Sequence, residues 1–217
     1  YQLLTANYFA LEDFQQAAST LRIMIDLWPN EITYWEQLAS VDMLEGKLEN
    51  ALASLRVAFE VGLIQKESTI KSLVQLSIRQ GVPENSARVL ERSLKTGLVP
   101  KEKEYYDLMA HAWREAREYE NAIVAHETSA NLSETGEPFV RIADIHMKFN
   151  RWSEAEEALK KALDYDLSDE GKAWLLLGIT QSELLNFDAA RTSLRKARAQ
   201  KSTSKSAQKW LRYSEDM

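Results

Sequence analysis

Few side chains in this 217-residue sequence are suited to chemistry. There are three histidines, His111, His126 and His146. No two of them stand at the spacing that brings imidazoles onto one metal ion. The absence of cysteine removes disulfides, thiolate nucleophiles and thiolate metal sites together. There is no glycine-rich phosphate loop, no Gly-x-Ser-x-Gly elbow and no His-Glu-x-x-His. Carboxylates cluster in Glu154-Ala155-Glu156-Glu157, but Lys160 and Lys161 follow within a helical turn or so. That spacing gives surface ion pairs worth roughly a few tenths of a kcal/mol, not an acid–base dyad. The sequence therefore predicts no enzyme, no cofactor and no metal site.

Charge is the next resource. Formal net charge is −6, which disfavours non-specific binding to phosphate backbones. From Arg191 to Arg212, however, there are eight Lys or Arg and no Asp or Glu. A basic end carrying Lys201, Lys205, Lys209 and Arg212 on an acidic body is either a docking surface for an anionic partner or a solvated terminal helix.

These groups must be held by helices. The chain has only 7 Gly and 4 Pro, is 45% apolar and 28% charged, and is rich in strong helix formers. No apolar run approaches the roughly 20 residues a membrane-spanning helix needs. Self-similarity then sets the architecture. Trp35, Leu38-Ala39, Gly46, Ala51, Leu55 and Ala58 form a skeleton that returns as Trp174, Leu177-Gly178, Phe187, Ala190, Leu194 and Ala197. It returns again as Phe139, Ile142-Ala143, Trp152, Ala155, Leu159 and Ala162. Looser copies run through Ile70, Leu73, Pro83, Ser86, Leu90 and Ser93, and through Tyr106, Met109-Ala110, Tyr119, Ala122, His126 and Ser129. A copy containing Tyr1, Leu4, Tyr8, Phe14, Ala17, Leu21, Met24 and Pro29 opens the chain. The small residue of each second helix falls at 17, 51, 86, 122, 155 and 190, a repeat of about 34 residues.

Apolar residues recur at three- and four-residue steps within each copy, which predicts amphipathic helices. Glu45-Gly46, Gly81-Val82-Pro83, Phe149-Asn150 and Leu185-Asn186 are short breakers that force antiparallel hairpins. The lone Ala190 and the Leu177-Gly178 pair mark places where two helices approach closely.

The pattern resembles the tetratricopeptide repeat. It implies an all-α fold, a right-handed α-α superhelix of six antiparallel hairpins over about 1–31, 32–66, 67–102, 103–135, 136–170 and 171–204. A capping helix is expected over 205–217, with Ala207, Trp210 and Leu211 turned to the last hairpin. Tyr1 falls where the first helix of a repeat should be under way, so further repeats upstream are expected.

The resemblance also implies function. First helices of successive hairpins line a concave surface that holds a peptide or helix of a partner protein. Counted from the residue opening each first helix, the inward positions are Leu3, Ala6, Phe9, Gln37, Ser40, Met43, Lys71, Gln75, Ile78, His111, Arg114, Arg141, Asp144, Met147, Leu176, Ile179 and Ser182. His126 and His146 fall in slots where the repeat packs an apolar or aromatic side chain. One branch of the family clamps a C-terminal carboxylate with Lys and Asn. Lys71, Gln75 and Arg141 echo it in part, but Gln37, Asp107 and Glu137 stand where cations or amides are wanted, so no such clamp is expected.

A rival reading comes from Val61-Gly62-Leu63 and Thr96-Gly97-Leu98-Val99-Pro100, which also resemble pentatricopeptide repeats that bind single-stranded RNA. That reading requires a basic inner face on a mostly acidic chain, so a nucleic-acid partner is disfavoured. The C-terminal run from Phe187 to Met217 is similar to the tails of proteobacterial tetratricopeptide proteins associated with TonB-type systems. This resemblance implies a periplasmic scaffold beside a membrane transport complex, and sets periplasm ahead of cytoplasm.

Overall fold

In a computed structural model the described residues are 1–215, with Glu215 described by its backbone alone. They form thirteen α-helices and no strand longer than an isolated bridge. The chain divides into two compact units. In the first, Tyr1–Lys101, the hairpins are α1 (Gln2–Ala10) with α2 (Phe14–Leu27), α3 (Ile32–Leu44) with α4 (Leu48–Glu60), and α5 (Glu67–Arg79) with α6 (Pro83–Thr96). In the second, from Glu102 on, they are α7 (Lys103–Glu115) with α8 (Tyr119–Asn131), α9 (Glu137–Lys148) with α10 (Trp152–Leu163), and α11 (Glu170–Glu183) with α12 (Phe187–Ala199). Helix α13 (Ser204–Glu215) follows. No helix among the described residues is long and apolar enough to cross a membrane.

One position organises every hairpin. Ala17, Ala51, Ser86, Ala122, Ala155 and Ala190 are each 0% exposed, because each lies where its helix meets the first helix of the pair. The serine among them keeps its hydroxyl satisfied by donating to the Val74 carbonyl of α5 at 2.9 Å. Gly178 shows how little room remains: a Cβ there would lie 2.5 Å from Leu194 Cγ. A volume change of one methyl is felt at such a contact.

All six hairpin turns share one geometry. Glu12, Gly46, Gly81, Arg117, Asn150 and Leu185 adopt φ of 55, 74, 71, 64, 56 and 60°, in the left-handed region. The following amide in each case donates to the carbonyl five residues back: Asp13 to Tyr8, Lys47 to Asp42, Val82 to Ser77, Glu118 to Trp113, Arg151 to His146 and Asn186 to Gln181, at 2.7–3.0 Å. This Schellman-type closure satisfies carbonyls that the helix end leaves orphaned. Only two of the six sites carry glycine, so four L-residues bear the left-handed cost of roughly 1–2 kcal/mol each. The breakers in the sequence mark four of these turns. The turns at Glu12 and Arg117 have no breaker composition and are imposed by the packing of their hairpins.

Specific bonds join successive hairpins within each unit. In the first, Trp35 Nε1 donates to the Pro29 carbonyl at 2.9 Å, and Glu36 accepts from Lys66 Nζ at 2.9 Å and from Thr69 Oγ1 at 2.6 Å. In the second, Thr135 and Asp166 form a parallel bridge, and Glu137 accepts from the Ser168 amide at 2.8 Å. Gln181 donates to Glu156 at 3.0 Å while accepting from Ser193 at 2.8 Å.

Helix α13 covers α12 through Ala207 and Leu211, both buried, with Trp210 half-buried. Arg191 ties it down by donating to the Ser214 carbonyl at 3.0 Å. Lys205, Lys209 and Arg212 are exposed. Asp216 and Met217, included in the expected capping helix, lie outside the described residues.

Two substitutions separate these effects. Gly178→Ala is expected to cost about 1–3 kcal/mol by overpacking against Leu194. Leu185→Gly removes left-handed strain and should gain up to about 1 kcal/mol after the entropic cost of glycine. Urea denaturation of the two variants against the parent checks both signs.

Candidate functional site

Within the first unit the first helices pack chiefly against second helices, which leaves clefts between successive first helices. Two clefts open in the first unit. A cleft of about 470 Å³ lies between α1 and α3, lined by Gln2, Thr5, Ala6, Phe9, Met24, Thr33, Tyr34 and Gln37. Another of about 240 Å³ lies between α3 and α5, lined by Glu36, Ala39, Ser40, Met43, Leu55, Lys66, Ser68, Thr69 and Ser72. Phe9 and Gln37 thus share one cleft, and Ser40 and Met43 share the next. Lys71, Gln75 and Ile78 lie on α5 outside both linings, and Lys71 pairs with Glu67 at 3.1 Å.

The polar groups of these clefts are fixed in place. Partial burial pushes the Glu36 carboxyl up, but the Thr69 hydroxyl and Lys66 outweigh it and leave the group below its ordinary value. Sequence reasoning missed Thr33, Tyr34, Glu36, Thr69 and Ser72. They sit within a residue or a turn of predicted positions, and the signal available was the pairing of Glu36 with Lys66 and Thr69 about one repeat away.

The inner face of the second unit is charged. Arg114 Nη2 lies 3.4 Å from His111 Nδ1 and 3.5 Å from Glu115. Asp144 faces Lys172 Nζ at 3.9 Å. Burial raises the Asp144 pKa above the usual aspartate value, against the pull of Lys172, Arg141 and Arg114. Arg141 is exposed, and no carboxylate among the described residues lies within ion-pairing distance of it. Met147, Leu176 and Ile179 are half-buried beside these charges. Ser182, expected to face inward, is buried instead, and its hydroxyl donates to the Gly178 carbonyl at 2.9 Å. In the first unit Leu3 is 84% exposed and Ala6 lines the α1/α3 cleft. Lys172 was not among the predicted residues, because its position opens α11 before the aromatic used for counting.

Two histidines belong to the packing. His126 is 3% exposed in a slot that holds leucine in the other five repeats (Leu21, Leu55, Leu90, Leu159 and Leu194). Its Nδ1 has no hydrogen-bond partner, nor has Nδ1 of His146. Burial, and then the charge of Arg141, push His126 down to about 4. Among the described residues no three His, Asp or Glu side chains are grouped so as to hold a metal ion.

Comparison with known proteins fits this geometry. Residues 140–205 match the family model described as tetratricopeptide repeat. No curated protein sequence matches the chain. Among solved structures, the MamA protein is 16% identical over 76% of this chain and 88% of its own, with a TM-score of 0.58. YrrB, described as a TPR protein with an unusual peptide-binding site, is 15% identical over 83% of this chain and 92% of its own, at 0.55. PilW, described as a widely conserved type IV pilus biogenesis factor, is 18% identical over 96% of both chains, at 0.55. At such identities the likeness is one of fold. The tetratricopeptide match thus lies in residues 140–205, and the described residues as a whole share the all-α helix-hairpin fold of these structures.

The buried imidazole has a pH consequence. His126 stays neutral in the folded chain down to about 4, whereas the unfolded chain protonates it near 6.5. Stability is therefore fully present above about pH 6.5 and is lost progressively as pH falls towards 4, by up to about 3 kcal/mol. His126→Leu should remove most of that loss, so its advantage over the parent in urea melts grows from pH 8 to pH 5.

Proposed function

We propose that this tetratricopeptide-repeat chain is a protein-interaction scaffold. The inner faces of its first helices seat a peptide or helical segment of a partner protein. The observation that carries this reading is the pair of clefts between successive first helices in the first unit, lined by side chains whose orientations are already fixed. Glu36 held by Lys66 and Thr69 is such a group, and Met43, 37% exposed, is an adaptable apolar one beside it. Pre-ordered polar groups beside a flexible apolar anchor suit a bound segment, because little side-chain entropy is lost when it docks.

The peptide-binding site in the description of YrrB, a protein of the same fold, supports the reading by analogy. The similarity of the C-terminal tail to TonB-associated proteins makes a component of an envelope transport complex the first partner class to try. The exposed Lys201, Lys205, Lys209 and Arg212 form a rival surface.

Met43→Asp with Met147→Asp places a charge on each unit's inner face at partly exposed positions. Capture of partners by this double variant should fall at least about tenfold against the parent, with helicity by circular dichroism unchanged. Unchanged capture moves the site off the inner faces. Loss on neutralising Lys201, Lys205 and Lys209 instead assigns it to the basic end.

A further inference from the structure

Eight Lys or Arg and no carboxylate stand from Arg191 to Arg212, and the structure sorts these cations into two groups. Three are engaged. Arg191 pairs with Asp188 at 2.5 Å and donates to the Ser214 carbonyl, Arg198 donates to Gln208 of α13 at 3.2 Å, and Lys196 lies 3.7 Å from the centre of the Trp174 ring. The other five, Arg195, Lys201, Lys205, Lys209 and Arg212, are exposed. Among the described residues no carboxylate lies within ion-pairing distance of them. Lys205, Lys209 and Arg212 fall at i, i+4 and i+7, so they form one stripe about 10 Å long on α13. Trp210 and Tyr213 lie one residue further round the helix, packed edge to face with ring centres 5.7 Å apart, and Tyr213 is 50% exposed. Ala207, Leu211 and Ser214 make the next stripe and are buried. From solvent inwards α13 thus presents cations, then an aromatic rim, then core.

We propose that this end of the chain docks on an anionic lipid bilayer, with the Lys205, Lys209 and Arg212 stripe against the headgroups and Trp210 and Tyr213 at headgroup level. Membrane contact is a second activity, beyond the scaffold function and not dependent on it. A cluster of about four to eight Lys or Arg on an amphipathic helix is drawn to acidic headgroups. Tyr and Trp favour the same depth, because an apolar ring with a polar tip suits both sides of the interface. A nucleic acid would need ring faces open for base stacking, whereas Trp210 is half-buried and packed against Tyr213. The free cations stand on the convex outer side of a helix, which suits a broad flat partner better than a peptide that must be gripped. Net charge is −6 with +8 in this stretch, so the rest of the chain carries −14 and is repelled by the same surface. Attraction is therefore confined to this end, within a Debye length of about 8–10 Å.

The chain has no cysteine, so Ser206→Cys supplies a single attachment point, exposed between the basic and aromatic stripes. Labelled there with an environment-sensitive dye, the whole chain is titrated with vesicles of phosphatidylcholine alone or with about one-third phosphatidylglycerol. Blue-shifted emission and at least about tenfold tighter binding are expected on the anionic vesicles, a margin that narrows as salt is raised. Lys205→Glu with Lys209→Glu should abolish the margin while leaving helicity unchanged. Lys95→Glu with Lys101→Glu makes the same change of charge at two other exposed lysines and should keep the margin.

Equal binding to both vesicles, or none, overturns the proposal. So does a margin that survives reversal of Lys205 and Lys209, or one lost equally on reversing Lys95 and Lys101. Tighter binding to poly-uridine at equal phosphate concentration, or to a Glu-rich peptide at equal charge, reassigns the surface to that polyanion and overturns it too. Met43→Asp with Met147→Asp should bind vesicles as the parent does, so failure of partner capture and failure of membrane docking are read separately.

Discussion

The close approach of the two helices in each hairpin is the constraint on which everything else depends. Six positions one repeat apart are held at zero exposure by small residues, and at Gly178 even a methyl group has no room. Because the helices meet there, the turn between them must reverse the chain within a few residues. Because α2, α4, α8 and α10 are each enclosed between two first helices, the first helices within each unit are kept apart from one another. The clefts of the first unit follow from that spacing. These clefts are a by-product of tight packing elsewhere in the hairpin.

The same logic explains what could be read from the sequence. Ala17, Ala51, Ala122, Ala155 and Ala190 are legible because the packing allows almost nothing larger, and a rule that strict leaves a period in the text. The turns are less legible. Left-handed φ at Gly46 and Gly81 shows in composition, but Glu12 and Arg117 adopt the same geometry with ordinary side chains. Their strain is absorbed by the hydrogen bond from the next amide and by helices that have no other way to pair. Local propensity does not record what tertiary packing enforces.

Part of the cleft lining was legible from helical counting. Phe9, Gln37, Ser40 and Met43 were found by counting along helices, and the structure puts them on cleft walls. Ser182 was misplaced because its small side chain folds back onto the Gly178 carbonyl, a choice that helical spacing does not reveal. Glu36, Thr69 and Lys172 were missed because their roles lie in pairs made between repeats. Charge pairing of that kind depends on how one hairpin sits on the next, and a single helix pattern is silent about it. The two units also differ in chemistry: clefts with hydroxyl and amide groups beside Met43 and Phe9 in the first, and charged pairs, Arg114 beside Glu115 and Asp144 facing Lys172, in the second.

The central claim is that a partner segment lies along the inner faces of the first helices. Site-specific photo-crosslinking in cells tests it most directly, with benzoyl-phenylalanine placed at Ser40 or Asp144 on inner faces and at Arg88 or Glu157 on exposed faces of second helices. The account predicts that one and the same partner is trapped from Ser40 or Asp144 and not from Arg88 or Glu157. Adducts formed chiefly from Arg88, Glu157 or a probe at Lys209 would contradict it.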